Sequence, residues 1–244
     1  MRIEQAIFTS VRSDRLDGYQ LAARSRGIDD QTARELTAWG PAHDSLLSDD
    51  PDARSINYHT LSSGECCLSH TRLAGAEYSG RGGARVYTQI FLLPREGFLR
   101  FGGNAFGLWR ALIAAARVRV CDPVPQYLSS YPLVGSTSES DAPILEQILA
   151  EIDAELLAEL VEALQTSPAV SVASRLPYPR LFEAVLQLLP LPKRVELAFS
   201  TGLKFSSRRP FRLYVAPVDA AAQRQLVRQT GVSFFDLTAS ATSV

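Results

Sequence analysis

Between His59 and Pro94 the chain gathers the side chains best suited to chemistry: two histidines, two adjacent cysteines and a glycine-rich loop that carries two arginines. Strand patterns lie on both sides of Ser63-Gly64, and together they read as a hairpin. With a two-residue turn, Leu61 faces Cys66, His59 faces Leu68 and Asn57 faces His70, so His59, Cys66 and His70 share one side of the ribbon. Two imidazoles and a thiolate are the nitrogen and sulfur donors that zinc prefers. Register decides the matter, because a slip of one residue sends the three to opposite faces. Against zinc stand histidines hydrogen-bonded beside a half-buried strand and cysteines acting as small apolar fillers; that reading, without metal or cofactor, is preferred. A thiol nucleophile with an imidazole base would use the same residues. No Gly-x-Ser-x-Gly elbow accompanies them, and closeness in sequence does not align a nucleophile with its base.

The loop Gly80-Arg81-Gly82-Gly83-Ala84-Arg85 has three glycines able to take positive φ, and successive amides in such turns form an anion-binding concavity. Arg81 and Arg85 would add charge-assisted bonds to a phosphate or carboxylate. The loop lacks the Gly-Lys-Ser/Thr ending of nucleotide hydrolases, and no helix pattern follows it. The competing interpretation is a structural turn with Arg81 solvated or ion-paired. A second cationic group lies later, where residues 175–212 carry eight basic residues and only Glu183 and Glu196 as acids. Arg194, Lys204, Arg208 and Arg209 are its partner-contact candidates, with pairing of Arg194 to Glu183 or to the acidic stretch 141–165 as the architectural alternative.

These residues need elements to hold them. Residues 2–10 and 18–25 read as strands, Asp29 or Asp30 as the cap of a helix ending near Trp39-Gly40-Pro41, 42–55 as an exposed loop, and 85–93 as a further strand. Residues 104–118 show helical spacing behind Asn104. The proline- and serine-rich stretch 121–143 marks a linker or long surface loop between a sheet-rich lobe, 1–120, and a helical and mixed-sheet lobe, 144–244, the two together possible as one unit. In the second lobe the spacing predicts one long helix over 143–165, a strand at 169–174, a helix at 179–189, a hairpin-like pair at 194–200 and 211–217, a helix near 219–230 and a strand at 232–237. The fold class is therefore α+β, with an antiparallel-rich sheet in the first half and helices with mixed strands in the second.

Composition narrows the function. The 244 residues carry a formal charge of -1 and 46% hydrophobic side chains, enough apolar surface for a sizeable core and no global field to hold nucleic acid or a membrane surface. Three cysteines, two of them adjacent, make no disulfide framework and point to a reducing, cytoplasmic setting. No signal peptide or membrane-spanning run is expected.

The run Tyr58-x-x-Leu61-x-x-Gly64, the Gly80-Arg81-x-Gly83 loop and the apolar strand after it resemble the N-terminal module of bacterial GTPase-associated proteins of predicted three-component conflict systems. LPLPKRVELAFSTGLKFSSRRPF (189–211) is similar to that group's Leu-Pro, spaced-Arg and Ser/Ala-Phe-Ser-Thr pattern. The resemblance implies a cytoplasmic, non-enzymatic adaptor or regulatory module whose protein partner is a P-loop GTPase, with Arg81 as the residue carried over. It places Glu77 at the group's acidic position, Ala84 where the group has Asn and Gln89 where it has His. The alternative is an enzyme or sensor that binds an anionic small molecule at Gly80–Arg85.

Overall fold

The computed structural model describes residues 1–12, 17–77, 83–135 and 142–238. Strands with long buried runs build the first half. β1 (Arg2–Val11), β2 (Gly18–Arg24), β3 (Arg54–Thr60), β4 (Cys66–Ala76) and β5 (Ala84–Leu93) are antiparallel, with α1 (Asp30–Ala38) between β2 and β3. The Asp29 carboxylate starts α1 by accepting from the Thr32 amide at 2.7 Å, which satisfies one of the free donors of a first turn. α2 (Arg95–Leu99) and α3 (Ala105–Ala114) follow, then β6 (Tyr131–Pro132), α4 (Ala142–Glu151) and α5 (Ala154–Thr166). The chain closes with β7 (Val170–Ser174), α6 (Tyr178–Leu188), α7 (Leu191–Glu196), β8 (Phe199–Ser200), β9 (Leu213–Val215), α8 (Ala220–Thr230) and β10 (Ser233–Leu237).

Among the described residues the strands make one mixed sheet, ordered β10-β7-β9-β8-β3-β4-β5-β1-β2, with β6 beside β1. The fold is α+β. β7, β8, β9 and β10 are mutually parallel, and β8 is the seam, antiparallel to β3 and parallel to β9. On one face, Tyr58, Leu68, Phe91, Phe199 and Leu213 pack against Phe98, Phe106, Leu160 and Phe182 from the helices. On the other, Phe8, Ile90 and Leu92 meet Leu36 of α1 and Trp39 just beyond it, while Leu203, Phe211 and Tyr214 cover the sheet with Leu46. Between these two apolar patches lies a buried polar seam: the Asn57 side-chain oxygen accepts from Ser55 at 2.6 Å and Ser200 at 2.7 Å, and its amide donates to Ser69 at 3.2 Å. Buried amides and hydroxyls survive in a core when they satisfy one another in this way.

Four expectations need correction. Residues 42–55 are not simply exposed: Leu46 is buried and bridges to Leu203, because the underside of the sheet needs apolar cover. The helix expected over 143–165 is two helices, since the Asp153 carboxylate accepts from the amides of Glu155 and Leu156 and starts α5 anew. Residues 191–196 form α7 rather than the opening of a strand, with Pro192 in its first turn, where a missing N–H costs little. β8 and β9 are parallel rather than a hairpin.

The described part of the expected linker, 121–135, lies against the first half. Tyr131 pairs with Ile3 in the sheet, Leu128 bridges to Ser25, and the Arg117 guanidinium sits 4.3 Å over the Tyr131 ring. No helix of the described residues is long and apolar enough to cross a membrane.

Candidate functional site

The parallel strands β7 and β8 end on the same edge of the sheet as the start of β3 and the far end of β4, because β3 runs against β8 and β4 against β3. Carboxyl ends of parallel strands leave a crevice beside the following helix, a recurrent place for ligands. Here that crevice is a cleft of about 930 Å³, within the roughly 300–1,000 Å³ range of small-molecule sites. β3 and β4 supply Arg54, His70 and Arg72, α3 supplies Trp109 and Arg110, and the entry to α6 supplies Tyr178, Arg180 and Glu183.

Charge in the cleft is lopsided. Arg54 and Arg72 are directly opposite partners across β3 and β4, and like charges in that relation destabilise a sheet. Neither has an acidic partner among the described residues, and the Arg180 guanidinium donates there to the neutral Gln147 side chain. Among the described residues that line the cleft the one carboxylate is Glu183, which is buried and already engaged, accepting from Asn104 at 2.6 Å and from Arg110 at 2.8 Å. The Asn104 oxygen in turn accepts from the amides of Phe106 and Gly107 and so caps α3. Asn104→Ala is therefore expected to cost about 2 kcal/mol, measured by chemical denaturation. Asn104→Asp should be no better, because it restores the cap but sets a second carboxylate against Glu183.

His70 lies between the arginines and the aromatic wall, its ring centroid 4.7 Å from that of Trp109. Burial, then the Arg72 and Arg54 charges, push its pKa down to about 4. Near pH 7 it is a neutral ring with no hydrogen-bond partner among the described residues.

The residues singled out by sequence fall elsewhere. The hairpin turn spans three residues: the Leu61 amide donates to the Glu65 carbonyl at 2.9 Å, and Gly64 takes φ +85°, a conformation glycine reaches without strain. That shifts the register by one, pairing Thr60 with Cys66 and His59 with Cys67. His59 therefore faces the α1 side while Cys66 and His70 face the other, which overturns the zinc grouping. Among the described residues no three or more His, Cys, Asp and Glu side chains are placed to hold a metal ion. Burial raises the Cys66 thiol and holds Cys67 well above its ordinary range, the reverse of what a nucleophile needs.

Gly80, Arg81 and Gly82 lie outside the described residues. At the edge of that loop Gly83 takes φ +94°, and its carbonyl accepts from the Glu77 amide at 3.2 Å. Glu77 accepts from the hydroxyls of Ser10 at 2.7 Å and Tyr19 at 2.9 Å, which ties the acidic position to β1 and β2. Arg85 turns back onto the fold, donating to the Ala74 carbonyl at 3.0 Å and standing 3.6 Å from Asp122. Gln89 is buried and clamps the chain after α3, donating to the Arg117 carbonyl at 2.9 Å and accepting from the Arg119 amide at 3.1 Å.

Three of the four partner-contact candidates are likewise occupied. Arg194 donates to the carbonyls of Gly102, Gln187 and Leu189, Arg209 to the Lys204 carbonyl and the Ser45 hydroxyl, and Lys204 pairs with Asp44 at 2.9 Å. Arg208 alone of the four has an exposed side chain with no bond among the described residues.

The fold and its cleft define an α+β protein with a cationic crevice where an antiparallel module meets a parallel one. Residues 2–127 match the family model for GTPase-associated protein 1, N-terminal domain type 2. That match takes in 126 of the 244 residues, and the chain belongs to this family. It contains Arg54, His70, Arg72, Trp109 and Arg110, whereas α6 and β7–β10 lie beyond it, so the cleft is closed by residues outside the family domain. No curated protein matches the chain.

Proposed function

We propose that the protein is a non-enzymatic regulatory adaptor in a bacterial cytoplasmic GTPase-associated system, that its protein partner is a P-loop GTPase, and that its cleft takes an anionic ligand. The observation that carries this reading is the composition of the cleft. Among the described residues three guanidiniums face it without acidic partners, yet none of its side chains is placed as a nucleophile or general base: His70 is held neutral against Trp109, and both oxygens of the Glu183 carboxylate are engaged, by Asn104 and Arg110. A crevice with unspent positive charge and no poised acid–base pair favours binding over bond-making.

The family name supports the GTPase connection. The full chain, used as bait in extract of its own cells, is expected to retain a P-loop GTPase. Purified alone, it should release no phosphate from GTP or ATP above the buffer rate. Hydrolysis that disappears in Arg72→Ala would make the protein an enzyme and end the adaptor reading, as would bait that retains no GTPase.

A further inference from the structure

We propose that the cleft binds a nucleoside di- or triphosphate, its phosphates on Arg54 and Arg72 and its base against Trp109 and Tyr178. This rests on the reading of the cleft as an anion site and specifies the ligand. The cleft is divided in kind. At one side the start of β3 and the end of β4 set two arginines directly opposite one another, both lining the cleft, and the forked donors of arginine match phosphate oxygens in bidentate fashion. A bridging polyphosphate turns the unfavourable cross-strand pair into a shared binding site, which explains why two like charges are kept opposite one another.

The other side is aromatic and apolar, lined by Trp109, Tyr178, Phe106, Ile113 and Val118. Ile113 is about half exposed there, at 52%, although it belongs to an otherwise well-packed helix. An inorganic polyphosphate has no use for such a wall, and an apolar ligand has no use for the arginines. A flat ring joined to a phosphate chain uses both. His70, between the two regions, presents a neutral imidazole that can exchange a hydrogen bond with a base or ribose. α6 begins at the same place without a side-chain cap, so its first-turn dipole adds to the field that draws phosphate.

Titration calorimetry of the full chain at low salt, with GTP, ATP and inorganic tripolyphosphate as separate probes, tests the assignment. At least one nucleotide is expected to bind about tenfold more tightly than tripolyphosphate, the increment expected from one base stacked on an aromatic ring. Trp109→Ala should abolish that difference and Trp109→Phe should keep most of it. Arg54→Ala with Arg72→Ala, at two exposed positions, should weaken nucleotide and tripolyphosphate alike by tenfold or more. If tripolyphosphate binds as tightly as the nucleotides, the ligand class is wrong while the anion site stands. If none of the three binds, the anion reading falls as well. Nucleotide binding that ignores both arginine substitutions would place the site elsewhere and overturn the proposal.

Discussion

Phe199→Ala is expected to destabilise the whole protein by about 4 kcal/mol while leaving a single unfolding transition. Phe199 lies on a two-residue strand, yet it sits fully buried at the meeting point of three elements. Its ring centroid is 5.2 Å from Phe106 of α3, 5.8 Å from Phe182 of α6 and 6.0 Å from Tyr58 of β3. Alanine would leave a cavity walled by three aromatic rings that are themselves pinned to separate elements, so little collapse can offset it. In a chain of this size the loss corresponds to a fall in melting temperature of roughly 10 °C.

The shape of the transition carries the structural information. Because β8 joins β3 on one side and β9 on the other, a core opened at Phe199 weakens both halves together. If calorimetry instead resolved two transitions, with the first-half transition unmoved by the substitution, the halves would be independent domains and the shared core would count for little.

How much of this was legible beforehand depended on whether the information was local. Strands β1, β2, β4 and β5 are strand-type runs bounded by turn residues, and Asp29 and Asn104 sit where caps belong, so they could be read directly. The hairpin register could not, because Ser63-Gly64 suits a two-residue turn and equally a three-residue turn ending in a left-handed glycine; only the packing of Leu61 and Cys67 against Trp39 selects between them. Alternation in Val195, Leu197 and Phe199 suggested a strand, but the residues before β8 also satisfy a short helix begun by proline, and the Tyr58 hydroxyl, donating to the Val195 carbonyl at 2.8 Å, fixes that geometry. Such a bond joins residues 137 positions apart and leaves no trace in any window of sequence.

The same distinction governs the site. Glycines and paired cysteines draw the eye because their local conformational or redox options are unusual, whereas each cleft residue is ordinary in its own neighbourhood. Arg54 and Arg72 become a notable pair only after the register is known, since the three-residue turn is what sets them opposite. Arg194 and Arg209 show the converse. In both residues the terminal guanidinium nitrogens donate to neighbouring polar groups, the carbonyls of Gly102, Gln187 and Leu189 in the case of Arg194 and the Lys204 carbonyl with the Ser45 hydroxyl in the case of Arg209. Positive charge in the sequence therefore marked architecture in one place and an open cleft in another, and the difference lies in which oxygens happen to be within reach.

Acid should unfold the protein early, and His59 should be a principal cause. Its ring is buried edge-on against Trp39 at 4.5 Å and near Phe211 at 5.9 Å, and neither ring nitrogen has a hydrogen-bond partner among the described residues. Burial alone pushes its pKa down to about 3, while that of His70 is down to about 4. An unfolded histidine titrates near 6.5, so between pH 6.5 and these values the unfolded chain binds protons that the native state refuses. Stability from this source is complete above about pH 6.5 and drains as pH falls toward 4 and then 3.

At pH 5 the loss is about 2 kcal/mol for each histidine, or about 4 kcal/mol for the two, a large part of an ordinary domain's stability. The carboxylates held low by their partners, Asp29, Asp30, Asp44 and Asp236, start from 3.8 in the free side chain, so their stabilisation is lost in a lower window. Urea midpoints measured between pH 7.5 and 5 therefore isolate the histidines. His59→Leu removes two unsatisfied nitrogens from the core, and replacing an unpaired buried polar group by an apolar one is neutral or stabilising. The variant is expected to match or exceed the natural chain at pH 7.5 and to lose about half as much stability on the way to pH 5. Parallel pH curves for the two proteins would mean that the imidazole is protonated or solvated in the native state, and the buried, unpartnered placement of His59 would be wrong.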